Sequence, residues 1–281
     1  MSSYIDIKQQ GFTVLRQGLN ADELERLDDT CRSLLVAARE VLARRDQDAD
    51  MVATWERDEN VPVVVGESSN PLEVCRIEWL AGSTPYIQDH LSSRLQQMIS
   101  DIAQGPFHLF KDKCNFKHPG GGAFGVHQDI AAYRHFDTHY HITAAIALDP
   151  ATLENGCLEL APRYLDEHDA QDVEQFLETP MGSRPLFKYH RGGPLNGDIE
   201  ERTSRKFEWL PVTAQAGDII LFDSYVPHRS ARNNSAVDRR MLFFTFAAGA
   251  AHKTLYDTYY ASKRNDPGNP IFHISTPTLH R

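Results

Sequence analysis

Residues 119–129 have the sequence Pro-Gly-Gly-Gly-Ala-Phe-Gly-Val-His-Gln-Asp, a glycine-rich turn followed by a short strand-like segment that ends in His127 and Asp129. Residues i and i+2 of a strand point to the same face of a sheet, so this imidazole and this carboxylate can face one metal ion. The alternative is an ordinary turn, because a chain with 13 histidines contains His-x-Asp triplets by chance. A third ligand elsewhere in the chain would decide between the two.

A candidate third ligand follows a second turn and strand. Residues 217–228 read Gly-Asp-Ile-Ile-Leu-Phe-Asp-Ser-Tyr-Val-Pro-His, so a tight turn begins an apolar strand that ends before His228. Two imidazoles and one carboxylate form the facial triad of non-haem Fe(II) oxygenases, which leaves coordination positions open for other ligands. Zinc would prefer a tetrahedral site. His127, Asp129 and His228 are therefore the predicted iron ligands; otherwise His228 is a surface histidine.

The residues after His228 supply a cation beside the predicted metal site. Arg239 and Arg240 lead into the apolar strand 241–246, Met-Leu-Phe-Phe-Thr-Phe. An arginine in the mouth of a barrel can hold a carboxylate through two parallel hydrogen bonds, a geometry that lysine lacks. Adjacent strand residues face opposite sides of a sheet, so only one of the two arginines can point inward.

The chain beyond residue 106 has the pattern of an antiparallel sandwich or barrel, with short strands separated by Gly, Pro, Asn and Asp clusters. The predicted strands span residues 107–116, 125–127, 142–148, 157–160, 209–213, 218–222 and 240–247. An insertion over 163–206 interrupts them. Its middle, 166–177, is predicted to be a short acidic helix, and 190–197 a loop that is a candidate lid.

The first part of the chain is predicted to be mainly helical. Residues 11–16 alternate like a strand, and Asn20 then offers an N-cap with Glu23 three residues on. Apolar residues at steps of three and four predict one helix up to Leu42 and a second over 85–102, whereas 45–70 is predicted to be a surface loop. This order indicates a single α+β domain, mainly β, spanning 1–281: a helical support region (1–105), a barrel (106–250) and a C-terminal tail (251–281).

The composition restricts the partners of the chain. Its 281 residues are 41% hydrophobic and 24% charged, an ordinary globular mixture. The 29 Lys and Arg against 39 Asp and Glu give a net charge of −10, which disfavours nucleic acid and anionic membranes as partners. The absence of a long apolar run and of a signal-peptide pattern predicts a cytoplasmic location. The four cysteines lack a Cys-x-x-Cys pair and are expected to be buried thiols.

Taken together, these motifs resemble the phytanoyl-CoA dioxygenase-like family of Fe(II)- and 2-oxoglutarate-dependent oxygenases. The similarity runs from 11–16, Gly-Phe-Thr-Val-Leu-Arg, through 154–162, Glu-Asn-Gly-Cys-Leu-Glu-Leu-Ala-Pro, to 227–228 and beyond. It implies a double-stranded β-helix, which is a jelly-roll or cupin-like barrel backed by the N-terminal helices. It also implies Fe(II), the co-substrate 2-oxoglutarate, and O2. In the family, an arginine eleven residues after the distal histidine binds the far carboxylate of 2-oxoglutarate, which implies Arg239 rather than Arg240.

The resemblance also suggests further contacts of the co-substrate. Lys111, Lys113, Asn115 and Lys117 share one face of a predicted strand, and the family places a polar co-substrate ligand about twelve to fourteen residues before the first metal ligand. This spacing favours Lys113 or Asn115, while the alternative for the whole face is a solvated barrel exterior. Thr143 either donates a hydroxyl to 2-oxoglutarate or fills an ordinary strand position.

Residues close to the metal ligands are the candidates for substrate binding. They are Gln128, Ile130, Tyr133, Arg134 and His135.

The implied reaction is hydroxylation of an unactivated C–H bond of a small polar molecule, with release of succinate and CO2. Residues 259–264, Tyr-Tyr-Ala-Ser-Lys-Arg, are similar to the tails of bacterial members that hydroxylate aminoalkylphosphonates, so such a phosphonate is one candidate substrate. Compatible solutes, amino acids and secondary metabolites are others. Asp129 disfavours halogenation, because halogenating relatives replace this carboxylate.

Two readings from other functional classes stay open. One is a metal-dependent hydrolase or cupin-like isomerase that uses the same three ligands without 2-oxoglutarate. The other is a non-catalytic binding protein on an oxygenase scaffold. The oligomeric state is not predicted.

Overall fold

Two antiparallel sheets enclose the central cavity of the protein in this computed structural model. The structure describes residues 2–45, 58, 61–67, 70–190, 198–249, 254–266 and 269–272. The major sheet has seven strands in the order β1-β11-β6-β13-β4-β3-β2, and the minor sheet has four in the order β10-β7-β12-β5. Strands β8 and β9 form a separate hairpin. This is the antiparallel, mainly β barrel with helices that the sequence predicted.

The thirteen strands named here have the following bounds. They are β1 (Phe12–Leu15), β2 (Val63–Gly66), β3 (Val74–Glu78), β4 (Phe107–Lys117), β5 (Phe124–His127), β6 (His141–Ala147), β7 (Leu158–Leu160), β8 (Val173–Thr179), β9 (Gly182–Phe187), β10 (Leu210–Val212), β11 (Ile219–Asp223), β12 (His228–Ser230) and β13 (Arg239–Ala248).

The helices flank the sheets. They are α1 (Ser2–Gln10), α2 (Ala21–Arg45), α3 (Leu80–Ser83), a π-helical turn (Ile87–Ser92) that continues into α4 (Ser93–Ala103), α5 (Ile130–Tyr133), α6 (Glu201–Ser204) and α7 (Leu255–Asn265). Short 3₁₀ turns cover Arg134–Phe136, Ala170–Asp172 and Pro270–Phe272.

Strands β6 and β13 form the centre of the major sheet, where side chains on both faces are buried. All seven residues of β6 are buried, as are most residues of β13. One face of these strands lines the cavity and the other contributes to the hydrophobic core. The apolar run Met241–Phe246 follows from this position, because a strand that is covered on both faces does not alternate between polar and apolar residues.

Helix α2 begins as its sequence predicts. The backbone N–H of Glu23 donates to Oδ1 of Asn20 at 2.9 Å, and the Asn20 N–H donates to the Glu23 carboxylate at 2.9 Å, which is a reciprocal capping box. Leu27, Cys31 and Leu42 on its apolar stripe are fully buried in the core. The helix is therefore held by one face that packs against the domain, as its periodicity indicates.

The structure corrects two predictions about irregular regions. The acidic helix expected over 166–177 is wrong: only Ala170–Asp172 form a 3₁₀ turn, and β8 pairs from Val173 onward with β9. The loop expected over 45–70 contains β2, which pairs with β3; residues 46–57, 59–60 and 68–69 lie outside the described residues. In both regions the structure is decided by pairing with another strand, and the periodicity of the segment itself does not reveal that pairing.

The first 105 residues also supply β1, β2 and β3 to the major sheet, in addition to the expected helices. Helix α7, in the predicted tail, packs against β4 of the same sheet: the Tyr260 hydroxyl donates to the Asp112 carbonyl oxygen at 2.6 Å. The described part of the tail therefore belongs to the same packed domain.

Two further expectations concern cysteines and membranes. All four cysteines are buried free thiols, as predicted. Among the described helices, none combines the length and the apolar composition that crossing a bilayer requires.

Gly156 offers a test of the barrel's tight packing. Its φ is +73°, and an added Cβ would lie 2.2 Å from the Ala231 carbonyl oxygen, so Gly156→Ala should lower the free energy of unfolding by about 2–4 kcal/mol. Two controls separate the causes. Gly182 has a φ of +102° but open space around an added Cβ, so Gly182→Ala should lower the free energy of unfolding by about 1 kcal/mol. Gly105 has open space and no positive φ, so Gly105→Ala should leave it nearly unchanged. Equal denaturation midpoints for all three variants would contradict this account.

Candidate functional site

The pairing of β5 with β12 brings two of the three predicted metal ligands together. His127 ends β5, His228 begins β12, and the two residues are direct partners in the antiparallel ladder. Their ring centroids are 4.1 Å apart. Asp129 follows β5 by two residues, and its Oδ1 lies 3.9 Å from Nε2 of His127. One ligand atom from each of the three buried residues lies within 4.8 Å of the other two, a geometry that suits a single metal ion.

Backbone carbonyls orient both imidazoles. Nδ1 of His127 donates to the Gly125 carbonyl oxygen at 2.7 Å, and Nδ1 of His228 donates to that of Val226 at 3.1 Å. Because a carbonyl only accepts, each ring carries its proton on Nδ1 and leaves Nε2 free to coordinate. A hydrogen bond to the second ring nitrogen is the usual support of a metal-bound histidine.

The protonation states of the three residues also suit a cation. Burial and the neighbouring His228 lower the pKa of His127 to about 3, and burial lowers the pKa of His228. Burial alone would raise the pKa of Asp129, but His228, His127 and nearby lysines outweigh it and lower this pKa to about 2. At neutral pH the site therefore offers two neutral imidazoles and one carboxylate, the forms that bind metal.

The three ligands open onto a cavity that also contains most of the predicted co-substrate residues. Lys113, Asn115, Tyr133, Thr143 and Arg239 all line it together with the metal ligands. The Thr143 hydroxyl hydrogen bonds to that of Thr245 at 2.9 Å. Residues predicted from separate parts of the chain thus meet around one space.

The two adjacent arginines point in opposite directions. Arg239 is buried inside the barrel, where its Nη1 donates to the Gly156 carbonyl oxygen and its Nε has no hydrogen-bond partner among the described residues. Arg240 faces α2 and forms ion pairs with Asp149 at 2.7 Å and Asp28 at 2.6 Å. Of the two, only Arg239 is free to bind an anion in the cavity.

The face of β4 that carries Lys111, Lys113, Asn115 and Lys117 is directed inward, so the alternative of a solvated exterior is wrong. Asn115 and Lys117 are buried, and the other two are half-buried beside the cavity. Lys117 donates to the Ser230 hydroxyl at 2.8 Å. Oδ1 of Asn115 is buried without a hydrogen-bond partner in the described structure, which leaves it available to a ligand.

Four residues predicted to bind substrate lie outside the cavity lining. Gln128 points away from it: its amide donates to the Pro185 and Tyr225 carbonyls at 2.8 and 2.6 Å and accepts from the Phe187 N–H at 2.9 Å. Gln128 therefore ties the β8–β9 hairpin to the metal-binding segment. Ile130 is buried in the core, Arg134 pairs with Glu174 at 3.1 Å, and His135 is exposed.

Several residues of the cavity were not predicted from the sequence. They are Phe124, Leu158, Phe222, Arg229, Ser230, Phe243 and Thr245. Strand parity could have identified two of them, because Phe243 and Thr245 lie four and six residues after Arg239 on the same face of β13. The candidate lid at 190–197 lies outside the described residues except for His190.

Comparison with known proteins agrees with this geometry. A family-wide sequence profile described as phytanoyl-CoA dioxygenase (PhyH) matches residues 7–241, which include all three candidate metal ligands and Arg239. The chain belongs to the PhyH family. This result confirms the resemblance inferred from the sequence motifs.

Two curated relatives of this chain have names that describe activity on phosphonates. A 2-aminoethylphosphonate dioxygenase from an uncultured bacterium is 32% identical over 192 residues, which cover 68% of this chain and 65% of that protein. A methylphosphonate hydroxylase from Gimesia maris is 37% identical over 159 residues, 57% of this chain and 52% of that protein. The chain thus spans between half and two thirds of the length of these relatives.

Solved structures share the PhyH fold. EctD from S. alaskensis, crystallised with 2-oxoglutarate and 5-hydroxyectoine, has a TM-score of 0.62 at 17% identity, over 88% of this chain and 75% of that chain. The carbocyclase SnoK from nogalamycin biosynthesis has a TM-score of 0.59 at 15% identity, over 88% and 83%. At these identities the likeness supports the fold alone, which is the predicted double-stranded β-helix.

Replacing the anionic ligand should weaken metal binding. Asp129→Ala removes the only carboxylate of the triad, so we expect at least a tenfold loss of affinity for Co(II), measured by anaerobic titration of the visible spectrum. Asp101→Ala, at an exposed position on α4, is the control and should bind like the parent protein. Equal affinities of the parent and Asp129→Ala would refute the metal-site assignment.

The lowered histidine pKa values predict an unusual pH dependence of metal binding. Two ordinary histidines, with a pKa near 6.5, would lose affinity by roughly tenfold between about pH 8 and about pH 6, because protons compete for the ligand nitrogens. Here the pKa of His127 is about 3, so this ring stays neutral over that range, and burial also lowers the pKa of His228. The Co(II) affinity should therefore fall by less than about fourfold, the loss that one ordinary histidine alone would cause. A tenfold decrease would show that these imidazoles titrate normally.

Proposed function

We propose that this protein is an Fe(II)- and 2-oxoglutarate-dependent dioxygenase that hydroxylates a C–H bond of a small polar molecule and releases succinate and CO2. One observation carries the proposal: the His127, Asp129 and His228 ligands line the same cavity as the buried Arg239. A facial triad alone also fits other metal chemistry. A triad with a buried arginine in the same cavity fits an anionic co-substrate that binds the metal at one end and the arginine at the other.

The donor set fits ferrous iron. Three buried ligands within 4.8 Å of one another line the cavity, and two imidazoles with one carboxylate are the donor set of octahedral Fe(II) in non-haem oxygenases. A structural zinc site would be closed by four ligands. When bound, the iron and its co-substrate supply the oxidising chemistry. The protein holds the ligands in place through the Nδ1 hydrogen bonds of both histidines.

Arg239 is suited to binding the far carboxylate of 2-oxoglutarate. Burial lowers its pKa to about 10, so the guanidinium is still charged at neutral pH, and its Nε lacks a partner in the described structure. A buried charge without a counter-ion is costly, and a carboxylate would remove that cost. Asn115 and Thr143 line the same space, and the Asn115 Nδ2 and the Thr143 hydroxyl are the groups there that can donate to the co-substrate.

Apolar side chains complete the cavity. Phe222, which packs against the His228 ring with centroids 5.1 Å apart, lines it together with Phe124, Leu158 and Phe243. Their contribution is to limit water around the metal and to orient the substrate carbon, since a strong oxidant in a wet site would react unproductively.

A phosphonate is the substrate class with the best support. The names of the two curated relatives support it, and so does the cationic interior of the barrel, where Lys113 and Arg239 line the cavity. Phosphonates are small and strongly anionic, and a buried lysine or arginine can pair with them through charge-assisted hydrogen bonds. The hydrolase or isomerase alternative uses the same triad but gives Arg239 no role.

Loss of Arg239 should raise the 2-oxoglutarate requirement. For Arg239→Ala we expect at least a tenfold higher KM for 2-oxoglutarate, because a charge-assisted contact to the carboxylate is lost. Arg240→Ala is the matched control: it breaks outward ion pairs with Asp149 and should lower stability while changing this KM little. The measurement is succinate release against 2-oxoglutarate concentration, and the opposite ranking of the two variants would reverse the assignment.

The same assay tests the reaction class. The iron-loaded protein should release one succinate for each substrate hydroxylated when methylphosphonate, 2-aminoethylphosphonate, amino acids and compatible solutes are compared as substrates. A product that forms without 2-oxoglutarate would favour the hydrolase or isomerase alternative and refute the oxygenase proposal.

A further inference from the structure

Lys111 and Lys113 bring two ammonium groups into the barrel, and neither forms a hydrogen bond or an ion pair within the part of the chain that the structure describes. Both lie against aromatic rings. Nζ of Lys111 is 4.6 Å from the Tyr133 ring centroid and 5.6 Å from that of Tyr259, and Nζ of Lys113 is 5.2 Å from that of Phe243. Lys113, Tyr133 and Phe243 line the metal cavity, and Lys111 lies directly behind this lining, against the Tyr133 ring.

The carboxylates near these lysines already have partners. On β3, Glu78 accepts from Arg76 at 2.8 Å and from Lys263 of α7 at 2.6 Å. Asp129 is the candidate metal ligand.

A third carboxylate, Asp112, lies on the opposite face of β4 and accepts from the N–H groups of Leu80 and Ala81 at 2.7 and 2.8 Å. Four cations, Arg76, Lys111, Lys113 and Lys263, therefore share the carboxylates Glu78 and Asp129, and a bound metal would take one of these.

This part of the barrel therefore holds more cationic side chains than carboxylates to pair with them. Burial lowers the pKa of Lys113 to about 7 and also lowers that of Lys111, because water no longer solvates the ammonium groups. Two apolar side chains in these places would stabilise the fold better than two unpaired charges. Sites that retain such a cost are typically sites where the charge acts on a ligand.

The lysines are separated along the strand from the end of the barrel where Arg239 lies. Arg239 is the ladder partner of Lys117, whereas Lys113 pairs with Phe243 and Lys111 with Thr245. Six residues of strand separate Lys117 from Lys111, which corresponds to about 20 Å at the usual rise per residue. A five-carbon diacid bound at Arg239 is shorter than that, so an anion bound further along the strand is better placed to pair with Lys111.

We propose that Lys111 and Lys113 form a second anion subsite, which binds the phosphonate or carboxylate group of the substrate while 2-oxoglutarate occupies the Arg239 end. This inference rests on the proposed function and adds the substrate class: a small molecule with a strongly anionic group close to the carbon that is hydroxylated. Lys113 lines the cavity and Lys111 lies against the Tyr133 ring in the cavity wall, so the anion would bind at the end of β4 that is away from Arg239.

The test measures anion binding to the anaerobic protein loaded with Fe(II) and saturating 2-oxoglutarate. Isothermal titration with methylphosphonate should show at least a tenfold weaker affinity for Lys111→Met and for Lys113→Met, since each loses a charge-assisted contact. Lys111→Arg should retain most of the affinity. Lys8→Met removes an exposed lysine and is the control that should bind like the parent protein. A parallel titration with acetate shows whether the subsite prefers the phosphonate or the carboxylate.

The melting temperature provides a second measurement, because lysines with a purely structural role would not give the pattern expected here. Removal of an unpaired buried charge should raise the Tm of the ligand-free Lys111→Met variant by a few degrees, while methylphosphonate should raise the Tm of the parent protein more than that of the variant. Unchanged affinity for both anions in both methionine variants would overturn the subsite.

The two proposals fail in different ways. If the parent protein releases succinate with substrate and the lysine variants bind anions normally, only the subsite is wrong. If lysine-dependent methylphosphonate binding occurs without any turnover of 2-oxoglutarate, the subsite stands and the oxygenase function is wrong.

Discussion

The cross-strand pairing of His127 with His228 is the contact on which the site depends. Two residues far apart in the sequence become direct neighbours because β5 and β12 run antiparallel in the minor sheet. A slip of one residue in either strand would turn one imidazole to the opposite face and separate the ligands. The glycine-rich turn before β5 and the Asp223 carboxylate, which accepts from the Tyr225 and Val226 N–H groups before β12, fix where each strand begins. Local turn chemistry thus sets the register, and the register sets the geometry of the candidate metal ligands.

The same two-residue period organises the major sheet around the cavity. Along β13 it directs Arg239, Phe243 and Thr245 inward and directs Arg240 outward, where it pairs with Asp28 of α2 and with Asp149. Along β4 it directs the lysines and Asn115 inward, while Asp112 on the other face anchors α3 and α7. On each strand, one face therefore lines the cavity and the other packs against the rest of the domain. Charged residues can line the cavity because the other face supplies the stabilising contacts.

Much of this architecture could be predicted, because the deciding signals are local. The capping box at Asn20, the strands of the barrel and the parity of Arg239 are properties of short segments. The role of Gln128 could not be predicted, since its three hydrogen bonds reach Pro185, Tyr225 and Phe187, residues that only the folded hairpin brings near. The helix predicted over 166–177 failed for the same reason: pairing with β9 outweighs the helical preference of an acidic segment.

Net charge says little about what a buried site attracts. The chain carries a net charge of −10, yet the interior of its barrel is cationic, because Arg239, Lys111 and Lys113 lie on inward faces and acidic residues there are few. Coulomb interactions are stronger in a partly desolvated cavity, whereas interactions of charges on the outer surface are screened by water and salt. A small anion therefore encounters a repulsive exterior and an attractive interior. Such an arrangement favours small anions that can enter the cavity over large polyanions, whose many charges must remain at the acidic surface.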